Sequence, residues 1–200
     1  MYNKKELIEF EEDIADCFNK KMIKAPIHLY NGNEDAIIGI FDTVIKKEDW
    51  VMCSWRSHYQ CLLHGVPKEE LKQAILDGKS ITLSFPKYKI LSSAIVGGII
   101  PIALGTALGI KRRNEKNKVV VFVGEMSSET GAFHESLKYS INYDLPIIFV
   151  IENNFKSVCT PTDKVWNNQN SWKSFSNKKI IYYEYTSKYP HAGGLNRIQF

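Results

Sequence analysis

The stretch VVVFVGEMSSETGAFHESLKYSINYDLPIIFVIENN, Val119 to Asn154, decides the fold. Lys118 to Val123 is a β-branched run long enough for a fully buried strand. Glu129 to Tyr143 carries a helical pattern, and Pro146 to Ile151 is a second buried strand. Strands alternating with helices predict a three-layer α/β fold with a mainly parallel sheet, helices on both faces and right-handed crossovers. In open sheets of this kind, ligands sit outside the carboxyl ends of the strands. That rule marks Gly124-Glu125-Met126 and Glu152-Asn153-Asn154, which end two neighbouring strands.

The flanking segments extend the pattern in both directions. Lys4 to Met22 places Leu7, Ile8, Phe10, Ile14, Ala15, Phe18 and Met22 at helical spacing. A second helix follows HLYNG, with Asn33 as its expected N-cap and Glu34 and Asp35 in its first turn, where the helix dipole favours acids. WVMCSWRSHYQ begins as a short strand. GVPKEELKQAILDGK reads as a helix with Pro67 near its start and Gly78 just past its end. Pro101 opens an apolar helix whose small residues Ala103, Gly105, Ala107 and Gly109 permit close approach to a sheet. Asn153 to Asn177 is polar and without period, so it reads mostly as loop. Ile180 to Thr186 is a last strand, followed by His191-Ala192-Gly193-Gly194. With neither an internal repeat nor a linker, residues 1–200 are expected to form one domain.

The composition narrows the function classes. The net charge is +4, and the basic residues occur in small groups with acids between them, as on solvated faces. No aromatic-interleaved basic motif or zinc spacing points to nucleic acid. Cys17, Cys53, Cys61 and Cys159 show no Cys-x-x-Cys pairing, which fits a reducing compartment. MYNKKELIEFEEDIA has no apolar core of a signal peptide. The run Ala94 to Ile110 is interrupted by four glycines and a proline and is short for a membrane span. A cytoplasmic protein is expected.

A carboxylate from one strand end and an amide oxygen from the next make a hard oxygen site. Magnesium takes such ligands at about 2.1 Å and usually shares its shell with substrate phosphates. Gly124 permits a tight turn, and backbone N–H groups at the start of the following helix suit an anion. The same residues also fit a plain strand–helix–strand unit. A generic nucleotide-binding reading lacks both a Gly-x-Gly-x-x-Gly turn and a P-loop.

Gly124-Glu125-Met126, then 26 residues, then Asn153-Asn154 resembles the thiamine diphosphate motif, in which Gly-Asp-Gly is followed at this separation by Asn-Asn. TGAFHESLKYSINYDLPIIFVIENN resembles the corresponding segment of the alpha subunit of 2-oxo acid dehydrogenases. HLYNGNEDAIIGIFDTVIKKEDWVMCSWRSHYQCLLHGV is similar to that family's Gly-Gln-Glu-Ala helix and Tyr-Arg-x-His segment. SSAIVGGIIPIALGTALGIKRR resembles its Ile-Val-Gly…Pro…Ala-x-Gly helix. The likeness is nearly continuous from His28 to Asn154 and is looser over YEYTSKYPHAGG.

The resemblance implies roles residue by residue. Glu125 and Asn154 would hold Mg²⁺ through their side chains, with the Lys156 carbonyl as a further ligand. Arg56 would contact the diphosphate, with Trp55 in place of the family's Tyr. Gly124 and Met126 would lie against the diphosphate, and Val96 and Gly97 near the aminopyrimidine. His58 and His191 would face the reactive end. A beta-type partner subunit carrying the pyrimidine-binding domain would complete the site in an α2β2 heterotetramer, acting on a 2-oxo acid. The alternatives are the N-terminal subunit of a split transketolase-like carboligase, taking a ketose, and a non-catalytic subunit with a degenerate cofactor site.

Three departures from the family pattern carry information. Glu125 replaces Asp, Met126 replaces Gly, and only Phe155 to Lys179 fills the space before the last strand, where the family usually has further helix–strand units.

Overall fold

A computed structural model describes residues 2–166 and 179–196. Its central sheet runs β2(Ser84–Phe85), β3(Ile90–Ser92), β1(Trp50–Cys53), β4(Val119–Gly124), β5(Ile147–Asn153) and β8(Ile180–Glu184) in spatial order. All neighbours are parallel except β2, which pairs antiparallel with β3. The central strands β4 and β5 are buried on both faces, so their sequences read as continuous apolar runs. In β4, Val120 and Phe122 face one core and Val119, Val121 and Val123 face the other.

The first core lies under α1(Lys4–Asn19), α2(Glu34–Thr43), α3(His58–Leu63) and α4(Lys68–Leu76). Helix α1 starts on a capping box, in which Asn3 Oδ1 accepts from the Glu6 N–H at 3.0 Å and the Glu6 carboxylate accepts from the Asn3 N–H at 2.8 Å. Its stripe Leu7, Phe10, Ile14 and Phe18 is buried. The second core lies under α5(Ile99–Arg112) and α6(Gly131–Asn142), with Phe133 edge-on to Phe149 at 5.3 Å.

The chain passes from β1 to β3 on one side, then returns across β1 to β4, β5 and β8 on the other. The strand order therefore reverses between β1 and β4. At such a switch point the loops leaving the two strands diverge and open a crevice at their carboxyl ends. Ser54-Trp55-Arg56 and Gly124-Glu125-Met126 are those loops.

Several expectations need adjustment. Asn33 sits at the start of α2 but makes no capping hydrogen bond; its Nδ2 donates to the Tyr183 hydroxyl at 3.1 Å instead. Helix α5 begins at Ile99, so Pro101 lies within the first turn, where its missing N–H has no intrahelical partner to lose. Only Ala103 and Ala107 of the small-residue set face the sheet; Gly105 is exposed, and a Cβ on Gly109 would meet only Arg113. A 3₁₀ turn at Ser127–Glu129 precedes α6, where Thr130 Oγ1 caps the helix by accepting from the Phe133 N–H at 3.3 Å. The 3₁₀ turn thus separates the start of α6 from Met126. The post-Asn154 segment contains a hairpin, β6(Lys156–Ser157) and β7(Thr160–Pro161), and a short helix α7(Thr162–Trp166). Residues 167–178 of the expected loop lie outside the described residues.

Candidate functional site

A cleft of about 120 Å³ opens at the carboxyl ends of β1, β4 and β5. Its walls include Trp55, Arg56, Val96, Gly124, Glu125, Met126, Glu152, Asn154, Lys156 and His191. Gly124 leaves its backbone bare on this side, since an added Cβ would meet no atom within 4 Å. Met126 has φ −74° and ψ −29°, an ordinary right-handed conformation, so replacing glycine there costs no backbone strain.

Glu125 is buried, and its Oε1 accepts from the Lys156 N–H at 3.0 Å. Asn154 Oδ1 accepts from the same N–H, also at 3.0 Å. Two hard oxygens from adjacent strand ends thus converge on one point. It is the N–H of Lys156 that meets them. Burial pushes the Glu125 carboxyl up from the usual range, while backbone N–H groups at 125, 154 and 156 and the Arg56 charge pull it down. Asn153 does different work: its Oδ1 accepts from the Phe155 N–H at 2.8 Å, and its Nδ2 donates to the Tyr182 hydroxyl at 2.7 Å. The loop is tight, with Phe155 at φ 60° and Val158 at φ 56°, conformations that side chains rarely adopt.

On the opposite wall, Arg56 Nη2 donates to the His191 carbonyl at 3.3 Å. The His28 Nδ1–H donates to the same carbonyl. Burial, and then the Arg56 guanidinium, push His28 down to about 3, so its ring is neutral at physiological pH. With Nδ1 carrying the hydrogen, Nε2 keeps its lone pair. The Trp55 ring packs on His28 and His191, with centroids 5.8 and 6.1 Å apart, and its buried Nε1–H has no partner among the described residues. Val96 is 57% exposed at the rim. Gly97 adopts φ 72°, and a Cβ there would come within 3.3 Å of Thr130 Oγ1.

Glu152, the second carboxylate on the cleft, is buried at the end of β5. Its Oε2 accepts from the Tyr30 hydroxyl at 2.8 Å and its Oε1 from the Tyr183 hydroxyl. Burial pushes it up to about 7, against the pull of those two hydroxyls and of Arg56.

The sequence model of the family described as "Dehydrogenase E1 component" matches residues 2–180. This chain belongs to the dehydrogenase E1 component family. It is 30% identical over 173 residues to the alpha subunit of acetoin:2,6-dichlorophenolindophenol oxidoreductase of Bacillus subtilis, covering 80% of this chain and 51% of that protein. It is 29% identical over 180 residues to the chloroplastic pyruvate dehydrogenase E1 component subunit alpha-3 of Arabidopsis thaliana, covering 82% and 42% respectively. A Cupriavidus necator acetoin oxidoreductase alpha subunit is 30% identical over 165 residues, covering 78% and 49%. The chain spans about half the length of the curated relatives it matches.

In this E1-family chain, Trp55, Arg56, Val96, Gly124, Glu125, Met126, Asn154, Lys156 and His191 all line one cleft, and Gly97 adjoins Val96. His58 does not join them. Helix α3 turns its fully buried ring toward α1, where Nδ1 meets Glu11 Oε2 at 2.9 Å and Nε2 meets Ser80 Oγ at 2.9 Å. Both ring nitrogens are engaged, so His58 fastens α1 to α3 instead of facing a reactive end. The strand-end rule marked Glu152 without giving it a role, and sequence reasoning missed His28 and Tyr30. For Glu152 a signal existed: an acid closing a strand buried on both faces must be paired inside. His28 and Tyr30 had none, since they come from a loop before α2 whose approach to β1 is a tertiary event.

Proposed function

We propose that this chain is the alpha-type subunit of a two-component thiamine diphosphate enzyme acting on a 2-oxo acid, and that the cleft holds the cofactor's diphosphate with Mg²⁺. The observation that carries this reading is the convergence of Glu125 Oε1 and Asn154 Oδ1 within 3.0 Å of one nitrogen. An amide and a carboxylate oxygen are hard ligands of the kind Mg²⁺ selects when phosphate completes its shell. A cation seated between them must displace the Lys156 N–H, because donor hydrogens repel a cation. The Lys156 carbonyl as a further ligand rests on the family resemblance.

Electrostatics support a cation as well. Among the described residues, Glu125 and Glu152 share the cleft with the Arg56 guanidinium. The buried Glu125 carboxylate opposes a diphosphate unless a divalent ion offsets it. Gly124 then gives the phosphates bare backbone, and Arg56 gives them a fixed donor fork. Val96 and Met126 supply the apolar rim. When bound, thiamine diphosphate supplies the nucleophilic carbon that attacks the carbonyl of the 2-oxo acid. His28, neutral and with Nε2 unprotonated beside Trp55 and His191, offers a hydrogen-bond acceptor behind the cleft wall.

The cleft is smaller than the roughly 300–1,000 Å³ of a complete small-molecule pocket. One chain therefore encloses one end of the cofactor, which supports a beta-type partner covering the other, in an α2β2 assembly. Calorimetry of this chain with a beta-type partner should show thiamine diphosphate binding that requires Mg²⁺. Glu125→Ala should weaken it at least about tenfold, as loss of metal-site groups does. Binding without Mg²⁺ dependence, or unchanged by Glu125→Ala, would overturn the reading.

A further inference from the structure

Tyr30 is fully buried, and its ring stacks on Tyr59 with centroids 5.2 Å apart. Its hydroxyl is therefore fixed in space by packing and not by rotation of an exposed side chain. Three groups meet at that hydroxyl. It lies 2.8 Å from Glu152 Oε2 and 3.1 Å from the Arg56 carbonyl, and it accepts from Gln60 Nε2 at 2.8 Å. The other Glu152 oxygen is held by Tyr183, whose hydroxyl accepts from Asn33 Nδ2. The network joins β1, α2, α3, β5 and β8 directly beneath the cleft.

A buried, satisfied network could serve stability alone. Two features point further. Glu152 lines the cleft, so the network reaches the wall that the proposed ligand would meet. Apolar residues of equal volume would fill the same space without bringing polar groups to that wall. The Tyr30 hydroxyl also touches the backbone of the very residue whose guanidinium faces the ligand.

We propose that Tyr30 is a positioning residue. Its hydroxyl, held between the Glu152 carboxyl group and the Arg56 carbonyl, fixes the backbone from which the Arg56 guanidinium reaches into the cleft, and so sets how tightly a diphosphate group is held. This rests on the cofactor reading above.

The test uses inorganic pyrophosphate with Mg²⁺, titrated into the full chain by calorimetry. Tyr30→Phe keeps the ring and removes the hydroxyl. Affinity should fall roughly threefold to tenfold, the effect of one lost hydrogen bond in a polar network. A double-mutant cycle supplies the readout that a structural role would not move. In an Arg56→Ala background, Tyr30→Phe should leave the remaining affinity unchanged, because no guanidinium is left to place. If Tyr30→Phe does not fold, Gln60→Leu, which removes the donor that orients the hydroxyl, carries the same expectations. Wild-type binding with Tyr30→Phe equal to it, or additive losses in the cycle, would overturn the positioning role alone. Absence of Mg²⁺-dependent pyrophosphate binding by the wild-type chain would overturn the cofactor reading, and this proposal with it.

Discussion

Glu152→Gln should change how stability depends on pH, in a direction and by an amount that follow from the network. Glu152 holds its proton up to about pH 7 in the folded protein, against an ordinary value of 4.5. The cause is burial, which outweighs the hydroxyls of Tyr183 and Tyr30. For a group whose folded value is raised, stability is fully present below the unfolded value and is lost as pH rises through the folded one. A rise from 4.5 to about 7 amounts to roughly 3 kcal/mol, at about 1.4 kcal/mol per tenfold in proton affinity. Wild type minus Glu152→Gln should therefore lose roughly 3 kcal/mol of stability between pH 4.5 and 7.

His28 works in the opposite sense. Its folded value is pushed down to about 3 from 6.5, so its contribution is present above 6.5 and is lost as pH falls. Between pH 4.5 and 6.5 the two slopes nearly cancel, since each is about 1.4 kcal/mol per pH unit with opposite sign. The pair predicts opposite behaviour in the two variants. Glu152→Gln should become less stable on acidification relative to wild type, and His28→Asn more stable. Urea unfolding followed by circular dichroism, in chelator to keep metal out, measures both. A wild-type-minus-Glu152→Gln difference that stays flat across the window would refute the claim that Glu152 is held protonated inside the fold.

Three further outcomes follow from the geometry. Gly124→Val should fold normally, because nothing lies within 4 Å of its Cβ position, yet it should abolish pyrophosphate binding by filling the cleft; equal binding by calorimetry would place the ligand elsewhere. Glu11→Ala should lower unfolding free energy by about 3 kcal/mol or more, since it leaves His58 and the Tyr30 N–H without their partner; a loss under about 1 kcal/mol in urea titrations would contradict the fastening role. Glu125→Asp should weaken Mg²⁺-dependent pyrophosphate binding; tighter binding in the same calorimetry would mark Glu125 as a degenerate replacement.

Much of the fold was legible because a strand buried on both faces has a plain signature. Val119 to Val123 and Ile147 to Ile151 are apolar at every position, and α1 and α4 carry clear apolar stripes or punctuating Pro and Gly. The three-residue β3 was not legible, because Ile90–Ser92 is too short to show a period and gains strand character only from pairing with β1. The same limit applies to the site. Gly124, Glu125, Asn154 and Arg56 lie at or just past strand ends, and strand ends converge by rule. His58 misled because its neighbour Arg56 belongs to the cleft, and two residues on, the first turn of α3 swings the ring to the other side of the loop. The Asn33 side chain was read as a cap from local preference, but a hydroxyl on β8, 150 residues away, competes for it.

The two substitutions in Gly124-Glu125-Met126 now separate in meaning. Methionine at 126 is neutral for the backbone, because φ there is −74° and glycine's freedom is not used. Glutamate at 125 is not neutral. Its carboxylate reaches across to the loop that follows Asn154 and takes the Lys156 N–H at 3.0 Å. A carboxylate one methylene shorter, on the same backbone, would fall about 1.5 Å short of that contact and leave the N–H to Asn154 alone. The loop meets the longer side chain with a backbone that carries Phe155 and Val158 at positive φ, conformations that cost free energy and persist only where their surroundings hold them. Glu125 and the strained loop therefore form one matched arrangement: the side chain extends to where the loop places its N–H, and a cation bound between Glu125 and Asn154 would have to take the place of that N–H.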